Sequence, residues 1–157
     1  MGGGSVQDLC ATTMALLKRG NPWIFVPSTF LAQADSCIGS KTSINSLHSK
    51  NQYGTFFSPS QVLVCPQLFS SLSDSDFLSG IGDGLHYFFV EPAIYYNRAS
   101  ELLDKLFSSD LADYKSNTSF LLQFISTTHS IKKSFIETDE FDFSTRKKLN
   151  LGHTFAH

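Results

Sequence analysis

The chain opens on a glycine run, Gly2-Gly3-Gly4, followed by Ser5, Val6, Gln7 and Asp8. Glycines let a backbone close on a pyrophosphate, and the first N–H groups of a following helix supply the positive end. The same composition suits a flexible terminus, so the run alone decides nothing. The segment from Pro27 to Asn45, PSTFLAQADSCIGSKTSIN, holds Asp35 and Lys41 and is followed by Lys50 and Asn51. Its ammonium and amide groups suit a phosphorylated ligand, although a solvated Gly/Ser loop is the commoner use of such residues. Asp83 and His86 stand three apart, on one face of a helix; capping or solvation is the commoner use of such an Asp. Lys132, Asp139, Glu140, Asp142 and Arg146 form a mixed-charge stretch, which most often marks a solvated face with weak ion pairs. His153 and His157 are four apart. On a helix both rings could reach one metal or one substrate, but Thr154 stands where a metalloprotease motif would need Glu. His48 and His129 are isolated and carry no argument, and no nucleophile elbow or Walker loop occurs.

The elements that must position these groups follow from periodicity. Val6, Leu9, Cys10, Met14 and Leu17 recur at helical spacing and Gly20 stops them, which predicts a first helix. Residues 23–26 and 61–65 read as short buried strands, the second closed by Pro66, and residues 28–34 begin another helix. Residues 39–54, rich in Ser, Asn, Gly and Lys, read as a long functional loop. Beyond about residue 73 the strand signal gives way to helices over 74–90, 98–107, 119–135 and 145–157, with a polar connection over 110–118. The chain thus reads as an α/β N-terminal part followed by an all-α part, with expected domains 1–72 and 73–157. No strand precedes the glycine run and no stop follows the last helix, so a fragment of a longer protein is expected.

Composition sets the outer bounds. The 157 residues are 41% hydrophobic and 17% charged, enough apolar material for a core and too little charge for a disordered chain. A formal charge of −2 leaves no basic stripe for phosphate backbones, so nucleic acid is not expected as a partner. No run approaches the ~18 apolar residues of a membrane span, and no secretory signal opens the chain; a cytoplasmic location with no membrane partner is expected. Cys10, Cys37 and Cys65 are odd in number, widely spaced and without a Cys-x-x-Cys. They read as three small buried hydrophobes rather than a disulfide or zinc framework.

Taken in order, the segments GGGxxxD at residues 2–8, the block at 27–45, Lys50-Asn51, SGIGDGLHY at 79–87, Lys132, TDEFDFSTR at 138–146 and LNLGHTFAH at 149–157 resemble the 3-dehydroquinate synthase family of sugar phosphate cyclases. The resemblance implies an NAD-binding α/β domain and a helical domain with the active site between them. It implies conversion of 3-deoxy-D-arabino-heptulosonate 7-phosphate to 3-dehydroquinate and phosphate, a lyase reaction of aromatic amino acid biosynthesis in the shikimate pathway. The implied cofactors are NAD+ and a divalent metal, Zn2+ or Co2+; the implied partner is a phosphorylated sugar acid, and family members are often homodimers.

By matched position, the resemblance makes Gly4, Ser5, Val6, Gln7 and Asp8 the pyrophosphate turn, with Ser28, Thr29, Lys50 and, more loosely, Leu68, Phe69, Ser70 and Ser71 also on the cofactor. Asp35 matches the carboxylate between nicotinamide and substrate, and Lys41 and Asn51 the phosphate contacts. Lys132, Arg146, Asn150 and His157 match substrate contacts, and His153 a metal ligand. Three positions depart from the family pattern. Asp83 replaces a metal-binding Glu and is shorter by one C–C bond, ~1.5 Å, where metal distances tolerate about ±0.2 Å. His86 replaces a substrate-binding Lys and supplies no fixed positive charge at neutral pH. Asp142 stands where Glu is usual. A third metal-binding His is expected beyond His157, so the isolated chain is expected to be inactive. Retained Lys132, Arg146 and Asn150 favour dehydroquinate synthase chemistry. The alternatives are a related cyclase of valiolone or inosose type and a non-catalytic remnant.

Overall fold

The computed structural model describes residues 1–90, 92–108 and 110–150. Helix α1 spans Gly4–Leu16 and tightens into a 3-10 turn, Leu17–Arg19, that ends at Gly20 with φ 113°. The apolar spacing foretold the helix but not its buried face. Gln7, Ala11 and Thr12 point inward, whereas Val6, Leu9 and Leu17 are exposed. Polar anchors set this rotation: Gln7 and Ser36 exchange hydrogen bonds at 2.6 and 2.8 Å, and Thr12 Oγ1 donates to Thr42 Oγ1 at 3.2 Å.

Strands β1 (Ile24–Phe25) and β2 (Gln61–Val62) pair in parallel, Ile24 opposite Gln61 and Phe25 opposite Val62. Both are shorter than the predicted runs. Gly2 adds a parallel bridge to Pro27: its N–H donates to Val26 O at 3.1 Å and its carbonyl accepts from Ser28 N at 2.9 Å. The glycine run is therefore part of the fold, hydrogen-bonded beside the segment that leaves β1 and leading into α1. Residues 39–54, expected as a long functional loop, fold back as a narrow arm through two antiparallel bridges, Ile44 to Tyr53 within the segment and Lys41 to Phe56 just beyond it.

Between β1 and the arm, Ala32–Ser36 is π-helical, with Cys37 N–H donating to Ala32 O at 3.0 Å. Helix α2 spans Asp74–Val90 despite three glycines, and buries Phe77, Ile81, Gly84 and Phe88 along one stripe. Gly80 has a steric role: a Cβ there would sit 2.7 Å from Leu31 N, a backbone atom that no rotamer change can move. Helix α3, Pro92–Ser108, starts earlier than predicted; Pro92 is tolerated at a first helical position because its missing N–H would be an orphan there. The expected polar connection instead contains α4, Leu111–Ser116, capped by Asp110, whose side chain accepts from Ala112 N at 3.1 Å. Helix α5 runs Thr118–Thr138, capped by Asn117. The described part of the last predicted α-helix is a 3-10 helix, Thr145–Asn150.

The architecture is an α/β part followed by an all-α part. Its main core draws from both: Phe30 meets Phe69, Phe77 and Phe124, Phe69 meets Phe77 and Phe124 meets Phe88, as tilted and edge-on rings at 4.9 to 6.2 Å. Of the cysteines only Cys37 is buried; Cys10 is exposed on α1 and Cys65 is intermediate, because the α1 face carrying Cys10 points outward. Burial pushes the Cys37 thiol up to about 12. Among the described residues no helix is long and apolar enough to cross a membrane.

Candidate active site

Asp35 lies in the π-helical turn, where the wider winding leaves carbonyls without their ordinary helical partners. Helix α5 supplies donors to three of them in succession. His129 Nε2 donates to Gln33 O at 2.6 Å, Thr128 Oγ1 to Ala34 O at 2.7 Å, and Lys132 Nζ to Asp35 O at 2.7 Å. The carbonyl acceptor places the His129 proton on Nε2, and burial keeps that ring's pKa below its ordinary value. Lys132 also pairs with Asp35 Oδ1 at 2.7 Å, and the Tyr87 hydroxyl on α2 donates to the same oxygen. Burial opposes the Asp35 charge, but Lys132 and then Tyr87 outweigh it and hold the carboxyl below the usual range.

The turn after α5 brings in the remaining groups. Lys132, Asp139 and Arg146, expected on a solvated face, are all buried. Asp139 organises this turn by accepting from the backbone N–H groups of Phe143 at 2.9 Å, Ser144 at 2.7 Å and Arg146 at 3.1 Å. Desolvation raises its carboxyl, yet the three donors together hold it at about 2. Its folded pKa is below the unfolded ~3.9, so its contribution is complete above that value and is lost as pH falls toward about 2. In acid melts between those values, Asp139→Asn is expected to flatten the stability loss. An acid limb as steep as that of the parent would contradict this.

Asp142 follows in a left-handed conformation, φ 61°, which few non-glycine residues adopt. Its Oδ2 pairs with Lys41 at 2.6 Å while its Oδ1 is buried and has no hydrogen-bond partner among the described residues. Ser40 donates to Glu140 at 3.0 Å and Phe56 meets Phe141 edge-on at 4.9 Å, so the arm is fastened to this turn at three points.

Two adjoining cavities result. One, of about 170 Å³, is lined by Gly4, Gln7 and Asp8 at the start of α1 together with Asp35, Lys41, Lys132 and Arg146. The other, of about 120 Å³, shares Asp35, Lys41, Lys132 and Arg146 and adds Tyr87, Asp142 and Asn150. Three cations, Lys41, Lys132 and Arg146, and three carboxylates, Asp8, Asp35 and Asp142, thus line the two cavities. Asn51 is not among them: with Ser5, Asp8 and Lys50 it lines a third hollow, and its Oδ1 accepts from Ser43 Oγ at 2.9 Å. His86 stacks on the Tyr87 ring at 4.0 Å and its Nδ1 meets the Asp83 carbonyl. Ser28 and Thr29 lie beside the glycine turn, where a Cβ on Gly3 would stand 3.1 Å from Thr29 Cγ2. Phe69 is a core side chain, so Leu68, Ser70 and Ser71 are the members of that stretch nearer the surface.

The start of α1 suits a dinucleotide pyrophosphate. Gly3 caps the helix without a side chain, its first turn carries no acid, and a Cβ on Gly4 would meet nothing within 4 Å. A metal is not accommodated by the described residues alone: no group of three His, Cys, Asp or Glu comes together among them. Asp83 is half-buried on α2, and His153 and His157 lie outside the described residues. Sequence reasoning missed Tyr87 and His129. The readable signal for His129 was Thr128-His129-x-x-Lys132, three donors on one α5 face.

Comparison with known proteins places these observations. A family profile described as 3-dehydroquinate synthase N-terminal matches residues 1–79, and one described as 3-dehydroquinate synthase C-terminal matches residues 93–157. The 3-dehydroquinate synthase of Chlamydia pneumoniae is 34% identical over 157 residues, covering 100% of this chain and 39% of its own length. That of Dictyoglomus turgidum is 35% identical over 156 residues, covering 99% and 42%. The chain therefore spans about two fifths of the length of these relatives. Among solved structures, 2-epi-5-epi-valiolone synthase ValA from Streptomyces hygroscopicus, with NAD+ and Zn2+ bound, superposes with a TM-score of 0.83 at 23% identity over 99% of this chain and 42% of that one. A 2-deoxy-scyllo-inosose synthase complexed with carbaglucose-6-phosphate, NAD+ and Co2+ gives 0.82 at 21% over 100% and 41%. These likenesses establish the fold.

Proposed function

Because this chain belongs to the 3-dehydroquinate synthase family, we propose that its site serves the lyase reaction that converts 3-deoxy-D-arabino-heptulosonate 7-phosphate to 3-dehydroquinate and inorganic phosphate. NAD+ and a divalent metal, Zn2+ or Co2+, are the cofactors. The observation that carries this reading is the convergence of Lys41, Lys132 and Arg146 with Asp35 and Asn150 on two adjoining cavities. A substrate bearing both a phosphate and a carboxylate brings anionic groups to opposite ends, and this space offers cations to each.

Bound NAD+ supplies a reversible hydride acceptor. The chain's residues do the rest by position and charge. Gly3, Gly4 and the first N–H groups of α1 hold the pyrophosphate. Lys132, Arg146 and Asn150 orient the carboxylate end. Lys41 exchanges Asp142 for the substrate phosphate, a swap its half-exposed ammonium can make. Asp35 accepts a hydrogen bond from a substrate hydroxyl and can hold its proton. Asp83 would contribute one metal ligand.

A second reading, a cyclase for sugar phosphates without a carboxylate, is favoured by one observation. His86, in place of the family's Lys, stacks on Tyr87 and is not among the residues lining either cavity. Titrating the 157-residue chain with the heptulosonate phosphate is expected to shift the Lys132 and Arg146 side-chain NMR resonances. Glucose 6-phosphate, lacking the carboxylate, should bind about tenfold more weakly, the worth of one charged hydrogen bond. Equal binding of the two would favour the second reading, and no shift with either would overturn both.

A further inference from the structure

The Tyr87 hydroxyl and Lys132 Nζ both donate to Asp35 Oδ1. No donor among the described residues reaches Oδ2, and the Asp35 side chain, 24% exposed, borders both cavities. On the function proposed above, we propose that Tyr87 is a positioning residue: with Lys132 it pins Oδ1, fixes the rotation of the carboxylate, and leaves Oδ2 as the oxygen that meets a substrate hydroxyl.

The side chain is built for that task. Its ring is 2% exposed and packs with Ile131, Phe135 and Leu149, while His86 stacks beside it, so the hydroxyl arrives in one place. Lys132 alone would not fix the carboxylate, because a single ammonium on a flexible stem permits rotation about the Cβ–Cγ bond. A second donor from another helix removes that freedom. A phenol adds the direction without adding charge, and burial together with Asp35 pushes its ionisation upward, so it stays a donor. The other titratable groups around the carboxylate are His86 on α2, His129 on α5, Cys37 after the π-helical turn, and Asp8, Lys41, Asp142 and Arg146 at the cavity walls.

The test is an NMR titration of the Asp35 carboxyl in the 157-residue chain and in Tyr87→Phe, which keeps the ring. Loss of one hydrogen bond to the charged form should raise the proton affinity of Asp35 about two- to tenfold and leave that of Asp139 unchanged. A lower melting temperature with an unmoved Asp35 midpoint would make Tyr87 merely structural and overturn the proposal. Should the variant not fold, replacing tyrosine by 3-fluorotyrosine, a stronger donor of nearly the same shape, gives the opposite displacement; an unmoved midpoint there overturns it equally. Neither readout needs ligand or turnover, so failure here is distinguishable from failure of the proposed reaction.

Discussion

Lys132→Met is expected to destabilise the protein by about 3–5 kcal/mol at neutral pH, the cost of breaking a buried ion pair from one side. Lys132 is buried and its partner Asp35 largely so. Methionine matches the length of the lysine stem but strands a carboxylate beside Tyr87 and leaves the Asp35 carbonyl only the longer bond from Ile38 N–H, 3.3 Å. The pH dependence separates these two losses. In the parent, the Asp35 carboxyl is held below its ordinary value, so its contribution is complete above ~3.9 and is lost as pH falls through the folded value. In the variant, burial without the ammonium raises that carboxyl, so the charged form is the costly one. Denaturation at pH 7 and near pH 3 should therefore show a gap that narrows in acid. A gap of the same size at both would mean that the lost carbonyl bond and packing, not the charge pair, carry the effect.

Gln33→Leu is the second large expected loss, about 2–4 kcal/mol. Gln33 is fully buried, and its amide donates to Pro27 O at 3.0 Å and Cys65 O at 2.8 Å while accepting from Cys65 N at 3.1 Å. Those three groups lie just beyond the ends of β1 and β2, so one side chain closes a two-stranded sheet too short to hold itself. Leucine fills similar volume but orphans the Cys65 N–H and the Pro27 carbonyl, each at roughly 1–3 kcal/mol before relaxation, while the Cys65 carbonyl keeps its bond from Leu68 N–H at 3.2 Å. Chemical denaturation measures the total, and amide exchange at Cys65 locates it. A loss under about 1 kcal/mol, with Cys65 still protected, would show that other groups satisfy the strand ends.

What the sequence made legible divides by the distance over which its signals act. Helix α2 was readable to its ends because Phe77, Ile81, Gly84 and Phe88 repeat at helical period and nothing remote is needed to form it. Helix α4 was not, since six residues carry too little periodicity and its cap, Asp110, looks like any loop aspartate. The buried face of α1 was not legible because polar pairs, Gln7 with Ser36 and Thr12 with Thr42, override its apolar stripe. At the site, Asp35, Lys132 and Arg146 came from the resemblance, and their convergence is what the fold adds. Tyr87 was missed because a tyrosine in an apolar helix reads as core, and its hydroxyl matters only once Asp35 is brought opposite. The mixed charges of residues 139–146 were misread for the same reason: the N–H groups that bury Asp139 exist only after the turn has closed.

The three α5 side chains that satisfy the π-helical carbonyls join residues 94 to 97 positions apart. A ribosome extending at ~5–20 residues per second needs roughly 5–20 s to cover that distance. Throughout that interval the Ala34 carbonyl lacks Thr128 and the Asp35 carboxylate lacks Lys132, so the carboxylate takes its place only when α5 arrives. The site thus closes only after α5 is made, and a nascent chain stopped before residue 128 carries every strand described here but no assembled Asp35.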